Sequence, residues 1–401
     1  MTIAFLDGPV FVGDGRILEH ATVLVEGERI VKVQEGNVAI PNDAHKIPLD
    51  GRTLLPGFID CHVHLCLDAS PDPMSASLAQ PMTLIALRAA DFARQTIMAG
   101  VTSIRDMGGK DGIDIGLKQA IQSGLIPGPR MLVSGRLICM TGGHGWQMGQ
   151  EADGPDEVRK AARDQIKAGA DIVKLMATGG VMTPAVEPGS EQLTEEELRA
   201  GIQEAHKAGK KTATHAMGTQ GILNALRAGI DSIEHGIFLD EETISLMVKR
   251  DVPLIPTLSA PYYIERKGVE AGIPQFAVEK TLHVKPFYLK SVRMAREAGV
   301  RVAMGTDAGT PFNVHGGNLG ELKRMVEVGF SPMEAIRAAT QIASQVLGLE
   351  KELGTIEEGK LADLVVVEGN PLDDVSILTK KEAIRLVMLG GKFVKGNDKN
   401  L

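Results

Sequence analysis

The chain has 401 residues, 43% hydrophobic and 23% charged, enough for one large domain or two smaller ones with a sizeable core. A formal net charge of -8, no lysine or arginine run and 3% aromatic residues argue against nucleic acid as a partner. No apolar run of ~18 residues spans a membrane, the first residues carry no basic and apolar leader, and Cys61, Cys66 and Cys139 contain no C-x-x-C pair. A reducing cytoplasm is the expected location.

Residues 1–55 alternate short β-type runs with turns. Ala21–Val33 reads as a hairpin turning near Gly27 and Glu28. The stretch Leu55-Pro-Gly-Phe-Ile-Asp-Cys-His-Val-His-Leu65 reads as a buried strand. Residues two apart on a strand face one side, so His62 and His64 can point at one ion. Two histidines do not complete a tetrahedral site, so further ligands are needed.

From 56 to 355, apolar strand-like runs alternate with helical patterns. The runs are Gly57–Leu65, Thr102–Asp106, Arg130–Ser134, Asp171–Ala177, Lys211–His215, Ser232–His235, Pro253–Leu258 and Arg301–Asp307. Thr194-Glu-Glu-Glu197 has capping-box spacing, and Ser331-Pro-Met-Glu334 places Ser at N-cap and Pro at N1. Eight such alternations fit an α/β fold, a (β/α)8 TIM barrel. A doubly wound open sheet is the alternative, but no G-x-G-x-x-G follows an early strand. The last segment, 356–401, is again strand-rich, so both ends together suggest a small β domain.

In a barrel of this kind the reactive groups sit at the C-terminal ends of strands. Those ends carry His62 and His64 (first), Lys174 (fourth), His215 (fifth), His235 (sixth) and Asp307 (eighth). A lone strand-end histidine is ordinarily structural, whereas the whole set is hard to assign to packing. A lysine in an apolar strand is costly as an ammonium. It is either salt-bridged, to Asp171 or Glu234, or neutral and able to take up carbon dioxide as a carbamate. Arg105 and Asp106 read as a structural pair, and Tyr262 and Tyr263 as pocket residues after the seventh strand.

This set resembles the amidohydrolase superfamily over nearly the whole chain. The motifs that carry the resemblance are Pro56-Gly-Phe-Ile-Asp-Cys-His-Val-His64, Ser232-Ile-Glu-His-Gly236, Gly305-Thr-Asp307 and Gly354-Thr-Ile-Glu-Glu-Gly-Lys-Leu-Ala-Asp-Leu364. Lys174, Thr141-Gly-Gly-His-Gly145 and His315-Gly-Gly-Asn318 make it similar to the imidazolonepropionase-like and prolidase-like (Xaa-Pro or Xaa-Arg dipeptidase) branch.

The resemblance implies a barrel over 56–355 and a small β-sandwich domain from 1–55 and 356–401. It also implies a homo-oligomer acting on a small molecule. Two divalent ions, most often zinc, would be held by His62, His64 and Asp307 on one side and His215 and His235 on the other. N6-carboxylated Lys174 and a hydroxide would bridge them. Asp307 would serve as general base and then acid. His144 would polarise the substrate, and His315 would stand behind Asp307.

Two positions depart from relatives. Single-metal deaminases of the superfamily carry a glutamate three residues after the fifth-strand histidine, where this chain has Gly218. Prolidase-like relatives often have a tyrosine two residues after that histidine, where this chain has Met217, which donates no hydrogen bond. The reading is hydrolysis of an amide or peptide C–N bond, in a dipeptide or N-acyl amino acid, with His144, Met217 and Tyr262 lining the substrate. A urea, carbamate or cyclic amide is the second reading. A deaminase or a non-catalytic barrel ranks below both.

Overall fold

Alternating apolar residues near both ends of the chain pair into one sheet in the computed structural model, which describes residues 2–36 and 38–396. Its strands run in the order Lys392–Lys395, Ile384–Leu389, Leu364–Glu368, Arg52–Pro56, Thr2–Phe11, Ile17–Glu26, Arg29–Glu35, with His45–Pro48 also pairing to Thr2–Phe11. The hairpin turns at Gly27 and Glu28 as its sequence predicts.

The expected β-sandwich is instead a single eight-stranded sheet. Ile30 and Met388, from strands towards opposite ends of it, belong to one apolar cluster, so the sheet curls around that cluster. The strand Leu364–Glu368 shows why both its faces are apolar. Leu364 and Val366 enter this cluster, while Val365 and Val367 enter the main core on the other side.

Between the sheet's two contributions, strands and helices alternate as read. Phe58–Val63, Val101–Asp106 and Arg130–Val133 form a parallel three-stranded sheet. Gln150–Glu151, Ile138–Cys139, Ile172–Met176, Lys211–Ala216, Ile233–His235 and Leu254–Ile255 form a parallel six-stranded sheet. The two short strands at 138–139 and 150–151 are additions to the eight expected.

The arrangement is α/β and TIM-barrel-like, but the ladders do not close into one continuous sheet. The eighth run, Arg301–Asp307, makes isolated bridges only, Leu254 to Val302 and, just beyond it, Val63 to Ala308. Backbone hydrogen bonds outside the ladders make the remaining joins: Cys61 N–H to Met304 O (2.9 Å) and Asp307 N–H to His62 O (2.7 Å) between the first strand and the eighth run, and Asp171 N–H to Val133 O (2.8 Å) between the third and fourth strands. One cause is local: Asp307 has φ 60°, a left-handed backbone that ends extended pairing.

The helix starts follow their sequence signals. Thr194 and Ser331 each cap the backbone of the glutamate three residues on, and that glutamate caps back. Among the described residues no helix is long and apolar enough to cross a membrane.

Asp60 ties the first strand to the eighth. Its buried carboxylate accepts from His62 N–H (3.1 Å), Thr306 N–H (3.1 Å), Thr306 Oγ1 (2.6 Å) and Asn318 Nδ2 (2.7 Å). Burial raises its pKa to about 6 against the pull of these donors. Asp60→Ala would strand several buried donors, and thermal or urea unfolding should register a loss of about 3 kcal/mol or more. A variant as stable as the parent would show that this carboxylate does not hold the two strands together.

Candidate metal centre and active site

Four strand-end histidines converge because each has one ring nitrogen tied and the other left facing the centre. His62 Nδ1 is 2.8 Å from Glu234 Oε2, and His64 Nδ1 is 2.8 Å from Gly108 O. His235 Nδ1 is 2.7 Å from Thr257 Oγ1, and His215 Nε2 is 3.3 Å from Gly179 O. The free Nε2 atoms of His62 and His64 lie 3.6 and 3.5 Å from Asp307 Oδ1. Ring centroids of His62 and His235 are 5.2 Å apart, and those of His215 and His235 are 4.5 Å apart. One nitrogen fixed by an acceptor, the other presenting its lone pair, is how imidazole is oriented for a metal.

Burial keeps these imidazoles neutral. It pushes His62, His215 and His235 well below the usual histidine range and His64 to about 4, with Lys174 adding to the effect. The same burial lifts Asp307 to about 7 although Lys174 pulls it down. One ligand atom from each of His62, His235 and Asp307 lies within 4.8 Å of the others. Three residues here hold left-handed backbone: His235 (φ 72°), Thr257 (φ 53°) and Asp307 (φ 60°). Such conformations cost energy and persist where packing fixes them, commonly at functional sites.

Lys174 decides between the two readings of its sequence. Asp171 is taken by Lys118 at 2.6 Å. Glu234 is taken by Arg105 Nη2 (2.7 Å), Ser232 Oγ (2.7 Å) and His62. Lys174 Nζ is buried and has no hydrogen-bond partner. Desolvation lowers its pKa to about 8, so roughly a tenth of the amine is neutral at pH 7, far more than of an ordinary lysine. The salt-bridge alternative for Lys174 fails because both carboxylates are committed elsewhere.

Arg105 also corrects an expectation. It pairs with Glu234 across the barrel, not with its neighbour Asp106, whose carboxylate accepts Leu65 N–H and Gly108 N–H.

His144 joins the site from the glycine-rich loop. Its ring centroid is 4.4 Å from that of His215, and its Nδ1 is 2.8 Å from Thr183 Oγ1. Thr183 belongs to the loop after Lys174, which Lys280 Nζ holds by the carbonyls of Thr183 (2.8 Å) and Val186 (2.5 Å). The loop presses on the site through glycines. A Cβ at Gly180 would sit 2.4 Å from His144 Nε2, and one at Gly218 only 2.0 Å from Gly189 O. The position where deaminases carry glutamate is therefore closed to any side chain.

The cavity at these residues is lined by His62, His64, His144, Lys174, His215, Met217, His235 and Asp307, with an apolar wall that includes Met148, Met182 and Ile237. Tyr262 is not among its lining residues. It lies in a neighbouring cavity, with the Arg324 guanidinium 3.9 Å from its ring centroid. His315 is engaged elsewhere than at Asp307, with Nε2 2.9 Å from Leu67 O and its ring stacked on Phe92. Sequence reasoning missed Thr183, Gly180, Thr257 and Tyr288. Only Thr183 and Gly180 had a signal, their place in the Gly- and Pro-rich loop directly after Lys174.

Fold and site define a hydrolase of C–N bonds built on an α/β, TIM-barrel-like scaffold. The amidohydrolase family model matches residues 53–394, and the chain belongs to that family. It is 31% identical to the ochratoxinase of Aspergillus niger over 97% of this chain and 86% of that protein. The crystal structure of that enzyme has a TM-score of 0.88, covering 98% of this chain and 96% of its own. A Xaa-Pro dipeptidase solved with methionine in its active site is 33% identical, with a TM-score of 0.92, covering 99% of this chain and 100% of its own.

Gly180→Ala is expected to push His144 out of place. Because misplacement by ~1 Å can cost on the order of 100-fold in rate, kcat/KM should fall by about 10- to 100-fold. Metal content, read by elemental analysis, should stay at the parent level. An unchanged kcat/KM would remove His144 from the reaction.

Proposed function

We propose that the protein hydrolyses an amide C–N bond of a small molecule at a binuclear metal centre, with dipeptides or N-acyl amino acids the favoured class. The carrying observation is the buried, unpartnered amine of Lys174 amid four neutral histidines and Asp307. In this reading His62, His64 and Asp307 hold one ion, and His215 and His235 hold the other. Lys174 would join them as a carbamate, formed when its neutral amine adds to carbon dioxide and one proton leaves to solvent. Two bound divalent cations, zinc being the family habit, would supply Lewis acidity and acidify a water.

The chain's own groups do the rest. Asp307 accepts a proton from the attacking water and returns it to the leaving amine. Thr183 Oγ1 accepts Gly145 N–H at 3.3 Å and directs its own hydroxyl proton to His144 Nδ1. That assignment leaves the His144 proton on Nε2, where it can be donated to the scissile carbonyl oxygen. Met217 and the apolar wall exclude water and receive apolar groups. The hydrolase unit is placed at 56–355, the small β domain at 1–55 with 356–401, and a cytoplasmic homo-oligomer is the working assembly.

A urea, carbamate or other neutral amide is the second reading. It is favoured by Met217 and by a cavity lining without arginine, or lysine other than Lys174, to meet a substrate carboxylate. Deamination is disfavoured by the closed position at Gly218.

A mass-spectrometric cleavage screen of the zinc- or manganese-loaded protein tests this. The library holds dipeptides, N-acyl amino acids, aryl ureas and carbamates. Loss of peptides or acyl amino acids sharing one C-terminal residue is expected; loss of ureas or carbamates alone moves the protein to the second reading. Lys174→Ala should abolish turnover and lower metal content, and a fully active alanine variant with parental metal content contradicts the bridging role. Chelation should abolish turnover, and added zinc or manganese should restore it.

A further inference from the structure

Tyr288 is the one tyrosine whose side chain reaches this cavity. It comes from the helix Gln275–Glu297, 2% exposed, and its hydroxyl is buried without a hydrogen-bond partner. A buried, unpartnered polar group costs stability and calls for an explanation. Burial, helped by the charges of Glu321 and Asp307, holds the hydroxyl protonated, well above the usual tyrosine range, although Thr257 stands near enough to pull the other way.

Neither carboxylate satisfies it. Glu321 is filled by the N–H groups of Leu258 and Ser259 and by Ser259 Oγ. Thr257, beside it, is engaged by His235. The other hydroxyls of the lining are spent on backbone: Thr281 Oγ1 donates to Ala277 O, and Thr310 Oγ1 to Asp307 O. Apart from the expected metal ligands, the side-chain donors left in the lining are His144, Tyr288 and Thr257, whose oxygen accepts from His235.

The geometry points to the Tyr288 hydroxyl as a hydrogen-bond donor to an oxygen on the leaving-amine half of the substrate. His144 arrives from the loop after the third strand, Tyr288 from the helix after the seventh. Asp307, which in the proposed function returns the proton to the leaving amine, lies on the Tyr288 side. A carboxamide carries such an oxygen without a charge of its own and serves as the probe. The tyrosine keeps its proton throughout.

This inference rests on the amide-hydrolysis reading, and its test separates the two. Binding of L-leucinamide and of isopentylamine, the same amine without the carboxamide group, is measured by calorimetry on the metal-loaded protein. The parent should prefer L-leucinamide by about tenfold, and Tyr288→Phe should erase that preference while leaving isopentylamine binding unchanged. Turnover of N-acetyl-leucinamide and N-isopentylacetamide is followed in parallel, with kcat/KM falling about tenfold in Tyr288→Phe for the first only.

Because the hydroxyl makes no hydrogen bond of normal length, the phenylalanine variant should melt no lower than the parent, whereas a structural bond to Thr257 would lower its melting temperature. No preference in the parent, or an equal preference in the variant, overturns the inference whatever the turnover. Binding as expected with no turnover of any amide contradicts the amide-hydrolysis reading and keeps the donor role.

Discussion

Everything at this centre depends on how the buried carboxylate of Glu234 is spent. It sits beneath the first and sixth strand ends and meets Arg105, Ser232 and His62 at 2.7–2.8 Å. Arg105 in turn donates to Cys61 O at 2.6 Å, so the network fixes the backbone that carries His62. An ion pair with such full hydrogen bonding can stand burial where an isolated charge cannot. Its consequence reaches Lys174. With Glu234 committed to Arg105 and Asp171 to Lys118, the amine has no hydrogen-bonded counter-ion, and burial outweighs the attraction of Glu234 and Asp307 to favour its neutral form.

The second constraint is steric. The loop after Lys174 lies so close to the site that Gly180 and Gly218 have no room for a Cβ. Its carbonyl at Gly179 orients His215, its Thr183 orients His144, and Lys280 holds the loop from the helix that also delivers Tyr288. One loop therefore sets a metal-facing imidazole, a substrate-facing imidazole and the shape of the pocket. Left-handed backbone at His235, Thr257 and Asp307 turns those residues into the same space. Strain of this kind is tolerable where the surrounding packing over-determines it.

Much of the centre was legible in residue order because strand ends are short-range features. His62 and His64 follow from the two-residue period of a strand; His215, His235 and Asp307 close apolar runs, and Lys174 interrupts one. The helix caps at Thr194 and Ser331 were legible for the same reason. What escaped was set by distance in the chain. The partner of Arg105 lies 129 residues on, so its neighbour Asp106 was the wrong choice. Tyr262 directly follows the seventh strand yet turns to Arg324, while Tyr288, a helix away, reaches the cavity. The sheet from both ends was legible as strands, but alternation along a strand cannot tell a sandwich from one curled sheet.

The central claim is that Lys174 is neutral enough, and placed well enough, to be carboxylated. Metal-loaded protein equilibrated with 13C-bicarbonate and observed by 13C NMR tests it most directly. The account predicts one slowly exchanging carbamate resonance from the parent, absent from Lys174→Ala. A parent protein with a full complement of two metal ions per chain and no carbamate resonance would contradict it.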